Sequence, residues 1–506
     1  MALPKVTVNV DEQSLISTNT QIPFVPAVIM KTKSGPIGTI ETLTSEAQFK
    51  ALFGESDYTT PSAYAIQTYL RSYSYVLVTR IANKLTAKEG TGKMTFVSGE
   101  GGDQKTNVIL TATTDYKTDL LNGKEIKLVY DGTELKLWLD VSAVTGKHTI
   151  SIKENFTADS TSVIEFTEVM NKLINSINAA GLGFTLENKS ADLEVMPSNA
   201  QFLEGFSLFF EEGDSGNNTV IDNAEVCKYI DLYDTNDRDI DVMVIPEYSN
   251  YIVTNYATAL ALKNNFEVLV SPEPEAQTIT SVQAAVANYN TENRGSLSVY
   301  YPNVYYNGFV DNNGNKVAIP LSIAVLHTYA RTDIQNKWGA PAGVSRGTLN
   351  LASGLVKSMS DEDITKLYDN TTPINSVNSI SGRGLVVWGN KTATASSAFF
   401  DRINVARLVK YITKRAYVAS YQYLFEPITS DLFSRFKMSL ETVLDPIKSG
   451  SGLADYEVIV DDTINTEQTI ASNQLNAIIR IKPQEVSEFI NIDLTLTDTI
   501  TVSVEE

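Results

Sequence analysis

The fifteen residues before the terminal glutamates alternate in character. Ile490, Ile492, Leu494, Leu496, Ile500, Val502 and Val504 are apolar, while Asn491, Asp493, Thr495, Thr497, Thr499, Thr501 and Ser503 are polar. Only Asp498 interrupts the apolar row. Strand side chains point to opposite faces with period two, so this predicts one extended strand, or two in line, with one apolar face. At ~3.3 Å per residue it would be roughly 50 Å long, about three times the usual strand. A chain end seldom has that much sheet left to pair with, which predicts that part of the strand pairs with another chain. At the other terminus Val6, Val8 and Val10 alternate with Lys5, Thr7 and Asn9, and lead into a polar stretch from Asp11 to Thr20. Unpaired apolar edges are a liability that soluble chains normally blunt. Two of them at the termini predict strand addition between subunits. The alternative is that both strands close the chain's own sheets.

With 506 residues the chain exceeds what one core usually supports, which predicts two to four domains. A formal net charge of -20 argues against binding nucleic acid or inserting into an anionic membrane, since both need clustered Lys and Arg. Cys227 is the only cysteine, so no intrachain disulfide can form and a reducing compartment is expected. The opening MALPKVTVNV lacks the layout of a signal peptide, and no apolar run approaches the ~18 residues of a membrane span. The longest, Ala318 to Leu326, is interrupted by Pro320 and Ser322.

Along the chain, a strand at Ala27 to Met30 precedes a Gly35-Pro36 turn and a helix opened by Thr44 and Ser45 with Glu46 and Gln48. A second helix, Ser62 to Ser72, feeds a buried strand at Tyr75 to Ile81. From about Lys88 to Phe202 short alternating runs are split by Gly and Asp turns, with one helix at Val163 to Ala179. That texture predicts a small antiparallel β domain inserted into a larger one. After Gly205 near-continuous apolar strands at Asp241 to Pro246 and Phe266 to Val270 alternate with helices at Asn223 to Tyr233 and Tyr251 to Asn264, predicting a covered, mainly parallel sheet. Further helices are expected at Leu321 to Tyr329, Ile403 to Tyr423 and Ser430 to Leu444, with strands at Gly384 to Trp388, Glu457 to Val460 and Ala477 to Lys482. The fold class is mixed α/β: a multidomain, discontinuous α/β core with an inserted antiparallel β domain and extended terminal strand arms.

Catalytic chemistry finds few candidates. The two histidines are His148 and His327, and His327 lies in an apolar helix where packing is the natural role. Asp311-Asn312-Asn313-Gly314-Asn315 begins like a calcium loop, but Lys316 and Ser322 stand where Gly and Glu are required, so a hairpin turn is expected. Gly90-Thr91-Gly92-Lys93 lacks the spacing of a phosphate loop, and Gly382-Arg383-Gly384 precedes a strand, where a dinucleotide fingerprint follows one. The acidic run Asp234, Asp237, Asp239, Asp241 reads as a solvated connection. No enzyme activity, cofactor or metal site is expected.

Several motifs do carry a resemblance. Tyr329-Ala330-Arg331-Thr332-Asp333, followed by Trp338-Gly339-Ala340-Pro341-Ala342-Gly343-Val344, resembles the signature of contractile bacteriophage tail sheath proteins. So does Gly382-Arg383-Gly384-Leu385-Val386-Val387-Trp388-Gly389-Asn390-Lys391-Thr392 ahead of Ile403-Asn404-Val405-Ala406-Arg407-Leu408. Phe425-Glu426-Pro427 and Ile481-Lys482-Pro483 follow in the family's order. The family's usual Pro-Pro-Ser-Gly is here Pro320-Leu321-Ser322-Ile323, and its Gly-Val-Tyr opening is missing.

The resemblance implies a homo-oligomer of hexameric rings stacked helically around a tail tube, with baseplate and tail terminator proteins as further partners. Its arms would link neighbours, and the sleeve would contract to drive the tube through the host envelope for genome ejection. The protein would be made in the host cytoplasm and reside in the virion. The corresponding segments are an N-terminal arm (1–20), a first core segment (21–87), an outward-facing β insertion (88–204), a middle α/β domain (205–370), a tube-proximal C-terminal domain (371–489) and a C-terminal arm (490–506). Arg435 and Lys437, cations on an acidic chain, are candidates for tube contact. Trp338, Pro341, Gly382, Gly384, Trp388, Gly389, Asn404, Arg407 and Pro483 read as core and turn determinants. A sheath from a genome-free injection particle of R-type bacteriocin kind is the alternative, with an α/β enzyme or a surface-layer protein as unrelated readings.

Overall fold

The computed structural model describes residues 24–99, 103–145, 153–158, 161–234, 239–272, 278–394 and 399–488. The described residues divide into two compact units, a larger one up to residue 413 and a smaller one from residue 414.

The larger unit is organised by a seven-stranded sheet. Its order is Ile374–Asn375, Leu297–Tyr300, Glu267–Val270, Val242–Val244, Pro26–Met30, Val76–Arg80, Ile40–Leu43. All neighbours are parallel except the edge strand Ile40–Leu43. The inner strands are buried at every position because helices cover both faces, which explains their continuous apolar sequences. Alternate side chains still divide between two cores. Val28, Met30, Val242 and Val244 join one, and Ala27, Ile29, Met243 and Val268 the other. Each fully buried Val or Ile contributes ~1.5–3 kcal/mol.

Local signals place the helices. Asn250 accepts from the backbone N–H groups of Ile252 and Val253 to open Tyr251–Asn264, which closes on Asn265 in the left-handed region at φ 52°. The predicted single helix over Leu321 to Tyr329 is two, Leu321–Ala324 and Leu326–Gln335, meeting at Val325. The second runs six residues further than its apolar stretch, and its side chains Tyr329, Arg331 and Asp333 make the tertiary contacts described below. The Asp311–Asn315 segment is a hairpin turn, its Asp311 carboxylate accepting from the N–H groups of Asn313 and Asn315.

Between Arg80 and Ser215 the chain makes a separate excursion. A three-stranded antiparallel sheet (Glu89–Ser98, Lys105–Lys117, Phe184–Asn188) and a four-stranded one (Phe206–Phe209, Glu125–Asp131, Lys136–Asp140, Glu154–Asn155) enclose a core of their own. Helix Val163–Ala179, opened by a Ser162/Glu165 capping box, buries Phe166, Met170, Leu173 and Ile177 there. Arg80 ties this excursion down. Wholly buried, its guanidinium donates to the carbonyls of Gly35 (2.6 Å), Lys117 (2.9 Å) and Ser215 (2.7 Å). Burial lowers its pKa to about 10, and the Asp119 and Tyr229 fields oppose that.

In the smaller unit, helix Ser430–Ser449 is opened by Thr429, whose hydroxyl accepts from Leu432 N–H. It buries Leu432, Phe433, Phe436, Leu440, Leu444 and Ile447, an apolar stripe at helical spacing. The helix packs on the strand Leu453–Ile459, which pairs antiparallel with Ile478–Pro483.

Candidate functional site

Val6, Val8, Val10, Ile490, Ile492, Leu494, Leu496, Ile500, Val502 and Val504 lie outside the described residues. What the structure does describe is a sheet of only two strands in the smaller unit, Leu453–Ile459 and Ile478–Pro483. Among the described residues nothing pairs with the outer edge of either strand. A hairpin of this size is marginal alone and presents two rows of backbone donors and acceptors. Its facing residues are matched across the ladder, with Arg480 2.8 Å from Glu457.

The signature segments, far apart in sequence, meet in the larger unit. Glu267, 1% exposed in the middle of the sheet, accepts on Oε1 from the hydroxyls of Ser298 and Tyr329, the latter at 3.0 Å. Tyr300 and Tyr329 hydroxyls lie 2.9 Å apart. Arg407 stands 5.0 Å from the Tyr329 ring centroid, 3.6 Å from Asp333, and donates to the Gly339 carbonyl. Lys410 donates to the Gly295 carbonyl at 2.7 Å. Burial raises the Glu267 pKa, and the charges of Lys410 and Arg407 oppose that. Arg331 donates to the carbonyls of Arg346 and Thr348, while Lys337 pairs with Asp333 at 2.7 Å. Two charged signature residues therefore hold turns, and a third, Arg407, ties the start of helix Ile403–Tyr421 to the sheet.

The second signature segment is held by amides. Asn375 donates to the carbonyls of Val299 and Lys391 and accepts from Lys391 N–H. Asn390 donates to Asn404 at 2.8 Å, both buried. Gly389 lies against Asn375, whose Oδ1 would be 2.5 Å from an added Cβ. Gly382 and Gly384 form the exposed tip of the hairpin Val377–Ile380 and Gly384–Val387 at φ 72° and 75°. Pro341 is buried, Trp338 is half-buried with Tyr411 at 6.4 Å, and Pro483 ends the open hairpin half-buried.

One expectation is corrected. Trp388 is not core: it is 44% exposed, because the strand stops at Val387 and the chain turns so that Gly389, not the indole, enters the interior. Arg435 and Lys437 stand about half exposed on the helix Ser430–Ser449, Arg435 beside Asp431 (2.9 Å) and Glu426 (3.8 Å) and Lys437 beside Glu441 (4.0 Å). His327 is packed edge-on against Tyr69 and Tyr73, with its Nε2 left without a partner. Sequence reasoning missed Glu267, Asn375 and Arg80. A polar residue inside an apolar strand was the available signal for the first and third.

Among the described residues no group of three or more His, Cys, Asp or Glu could hold a metal ion, and no helix is long and apolar enough to cross a membrane. No family model matches the chain. In fold it is similar to the sheath tail protein of Desulfitobacterium hafniense, with a TM-score of 0.56 at 11% identity over 88% of this chain and 92% of that one. It is also similar to the PVC sheath of an extracellular contractile injection system in its contracted state, with a TM-score of 0.55 at 14% identity over 98% of both chains. The architecture is thus the mixed α/β, multidomain fold of sheath proteins. In sequence, the tail sheath protein of Vibrio phage KVP40 is 31% identical over 265 residues, 52% of this chain. The chain is a homologue of phage tail sheath proteins, and the match spans 37% of that relative's length.

Proposed function

We propose that this chain is the structural subunit of a contractile bacteriophage tail sheath, with no catalytic role. Copies assemble as six-membered rings stacked helically around a tail tube, between baseplate and tail terminator proteins. The sleeve shortens to drive the tube through the host envelope for genome ejection. The subunit is made in the host cytoplasm and ends in the virion. The observation that carries this reading is the homology to phage sheath proteins together with a two-stranded sheet whose outer edges are unpaired among the described residues, in a chain whose termini alternate like strands.

A donated strand forming on the order of five backbone hydrogen bonds at ~1 kcal/mol each, with apolar burial at ~25 cal/mol per Å², links neighbours strongly. The polar stretch from Asp11 to Thr20 and the region of Asp498 serve as hinges, so cores slide while the ladders stay paired. A genome-free injection particle is the second reading, favoured by the likeness to the PVC sheath along nearly the whole chain.

Negative-stain microscopy of the purified protein tests the proposal. The full chain forms tubular polymers, and a variant lacking residues 1–20 and 490–506 remains monomeric. Intact, contractible sleeves from the trimmed variant would overturn it.

A further inference from the structure

In the smaller unit the end of helix Ile403–Tyr421, the turn after it and the helix Ser430–Ser449 carry exposed apolar side chains, of which Tyr421 also packs on Tyr417 at 4.9 Å. Phe425 is 85% exposed, Met438 66% and Tyr421 41%. Phe425 lies in the turn and Met438 on the helix that the turn runs along. Tyr423 donates to the Arg435 carbonyl and its ring lies 5.0 Å from Phe436, and Gln422 reaches Ser439, so the turn lies along the helix. Met438 follows Arg435 by three residues, on the same outward face.

Phe425 also holds a backbone conformation that few bulky residues adopt, with φ at 67°. Glycine or asparagine would take it more cheaply. A phenylalanine that is strained in its backbone and almost wholly in water contributes little to its own fold. Both observations concern the same side chain, and strain of this kind persists mainly where a site uses it.

The surroundings indicate the partner. The rim is closed on itself by the pairs Asp431–Arg435, Glu426–Arg435 and Lys437–Glu441. Three carboxylates against two cations leave this rim with one net negative charge on a chain of formal charge -20. Two copies of such a chain repel over most of their surfaces, and they can approach closely only where charge is locally close to balance and apolar area is available. We propose that Phe425, Met438 and Tyr421 make a contact between adjoining copies of this chain, with Phe425 as its anchor. Aromatic side chains are enriched at the cores of such contacts. The inference rests on the self-assembling reading above and adds to it a contact made by side chains, separate from the shared strands.

Phe425→Gly separates assembly from folding. Its backbone is relieved and little packing is lost, so thermal stability stays equal to or above that of the unaltered chain. The critical concentration for tubular polymers, measured by sedimentation without tube, rises about tenfold or more. Phe425→Leu restores most of the loss, and Met438→Ser reproduces part of it. Polymerisation of Phe425→Gly at the unaltered concentration overturns the inference, as does normal self-assembly combined with failure to coat tubes, which would assign the surface to the tube. If the unaltered chain forms no polymers, the assembly reading itself fails, a result distinct from either.

Discussion

Tyr329 gives its hydroxyl proton to the buried carboxylate of Glu267 at 3.0 Å, and so joins the helix Leu326–Gln335 to the middle of the central sheet. Tyr300 donates in turn to the Tyr329 oxygen, making a relay of two hydroxyls ending on one carboxylate oxygen. Removing one partner from a buried polar group costs more than the bond itself. Tyr329→Phe should therefore lower unfolding free energy by about 1–3 kcal/mol, and Glu267→Ala by about 2–4 kcal/mol because it also opens a cavity. In a double-mutant cycle followed by chemical denaturation the pair should be non-additive. Additive losses would mean that the two side chains act independently.

His327 makes stability pH-dependent. Burial, aided by the Arg331 charge, lowers its pKa to about 4. In the unfolded chain it titrates near ~6.5. Between these values the unfolded state binds a proton that the native state refuses, so the contribution is fully present above ~6.5 and is lost as pH falls towards 4. The unfolding free energy should fall over that window by an amount on the order of 3 kcal/mol, and His327→Phe should flatten the slope. The only other histidine, His148, lies outside the described residues.

Arg80 should prove the sensitive point of the excursion that it anchors. Arg80→Leu keeps bulk but leaves the carbonyls of Gly35, Lys117 and Ser215 without this donor, a loss on the order of 3 kcal/mol. Limited proteolysis should then cut within residues 81–88 or 210–220 before any site in the sheet. Unchanged cleavage order would show that the crossings are held by other contacts.

Gly389→Ala places a methyl group against Asn375 in a region with no slack. Overpacking of this kind costs about 1–3 kcal/mol. The amide of Asn375 would have to leave Val299 or Lys391, so the loss should appear as a lower melting temperature in scanning calorimetry.

Much of the fold is written locally. Helices Tyr251–Asn264 and Val163–Ala179 can be bounded to the residue because each has its own cap, Asn250 in one and Ser162 with Glu165 in the other. Four of the six parallel strands are legible as continuous apolar runs, while Leu297–Tyr300, interrupted by Ser298, and the two-residue Ile374–Asn375 are not. Strands Phe184–Asn188 and Phe206–Phe209 are not, since four or five residues with polar alternates give little periodicity. Nor is the burial of Glu267: its partners Ser298 and Tyr329 lie 31 and 62 residues further on, and a charge in a strand reads as surface until they are known. Trp388 fails for the opposite reason, as hydrophobicity cannot tell which of two adjacent residues, the indole or Gly389, turns inward. The motif residues were legible as a group, and their meeting around Tyr329, Asp333 and Arg407 was not.

The chain leaves the sheet beyond Arg80 and comes back at Ser215, and one nitrogen of that arginine grips both the outgoing traffic at Lys117 and the return at Ser215. To the sheet, everything in between is a parenthesis. Because the cost of closing a loop grows only slowly with its length, the bracketed text can be lengthened, shortened or exchanged through descent while the sentence around it still reads. Relatives of very different size can share one core for this reason, and a foreign module spliced between those two points should be carried as readily as the native one.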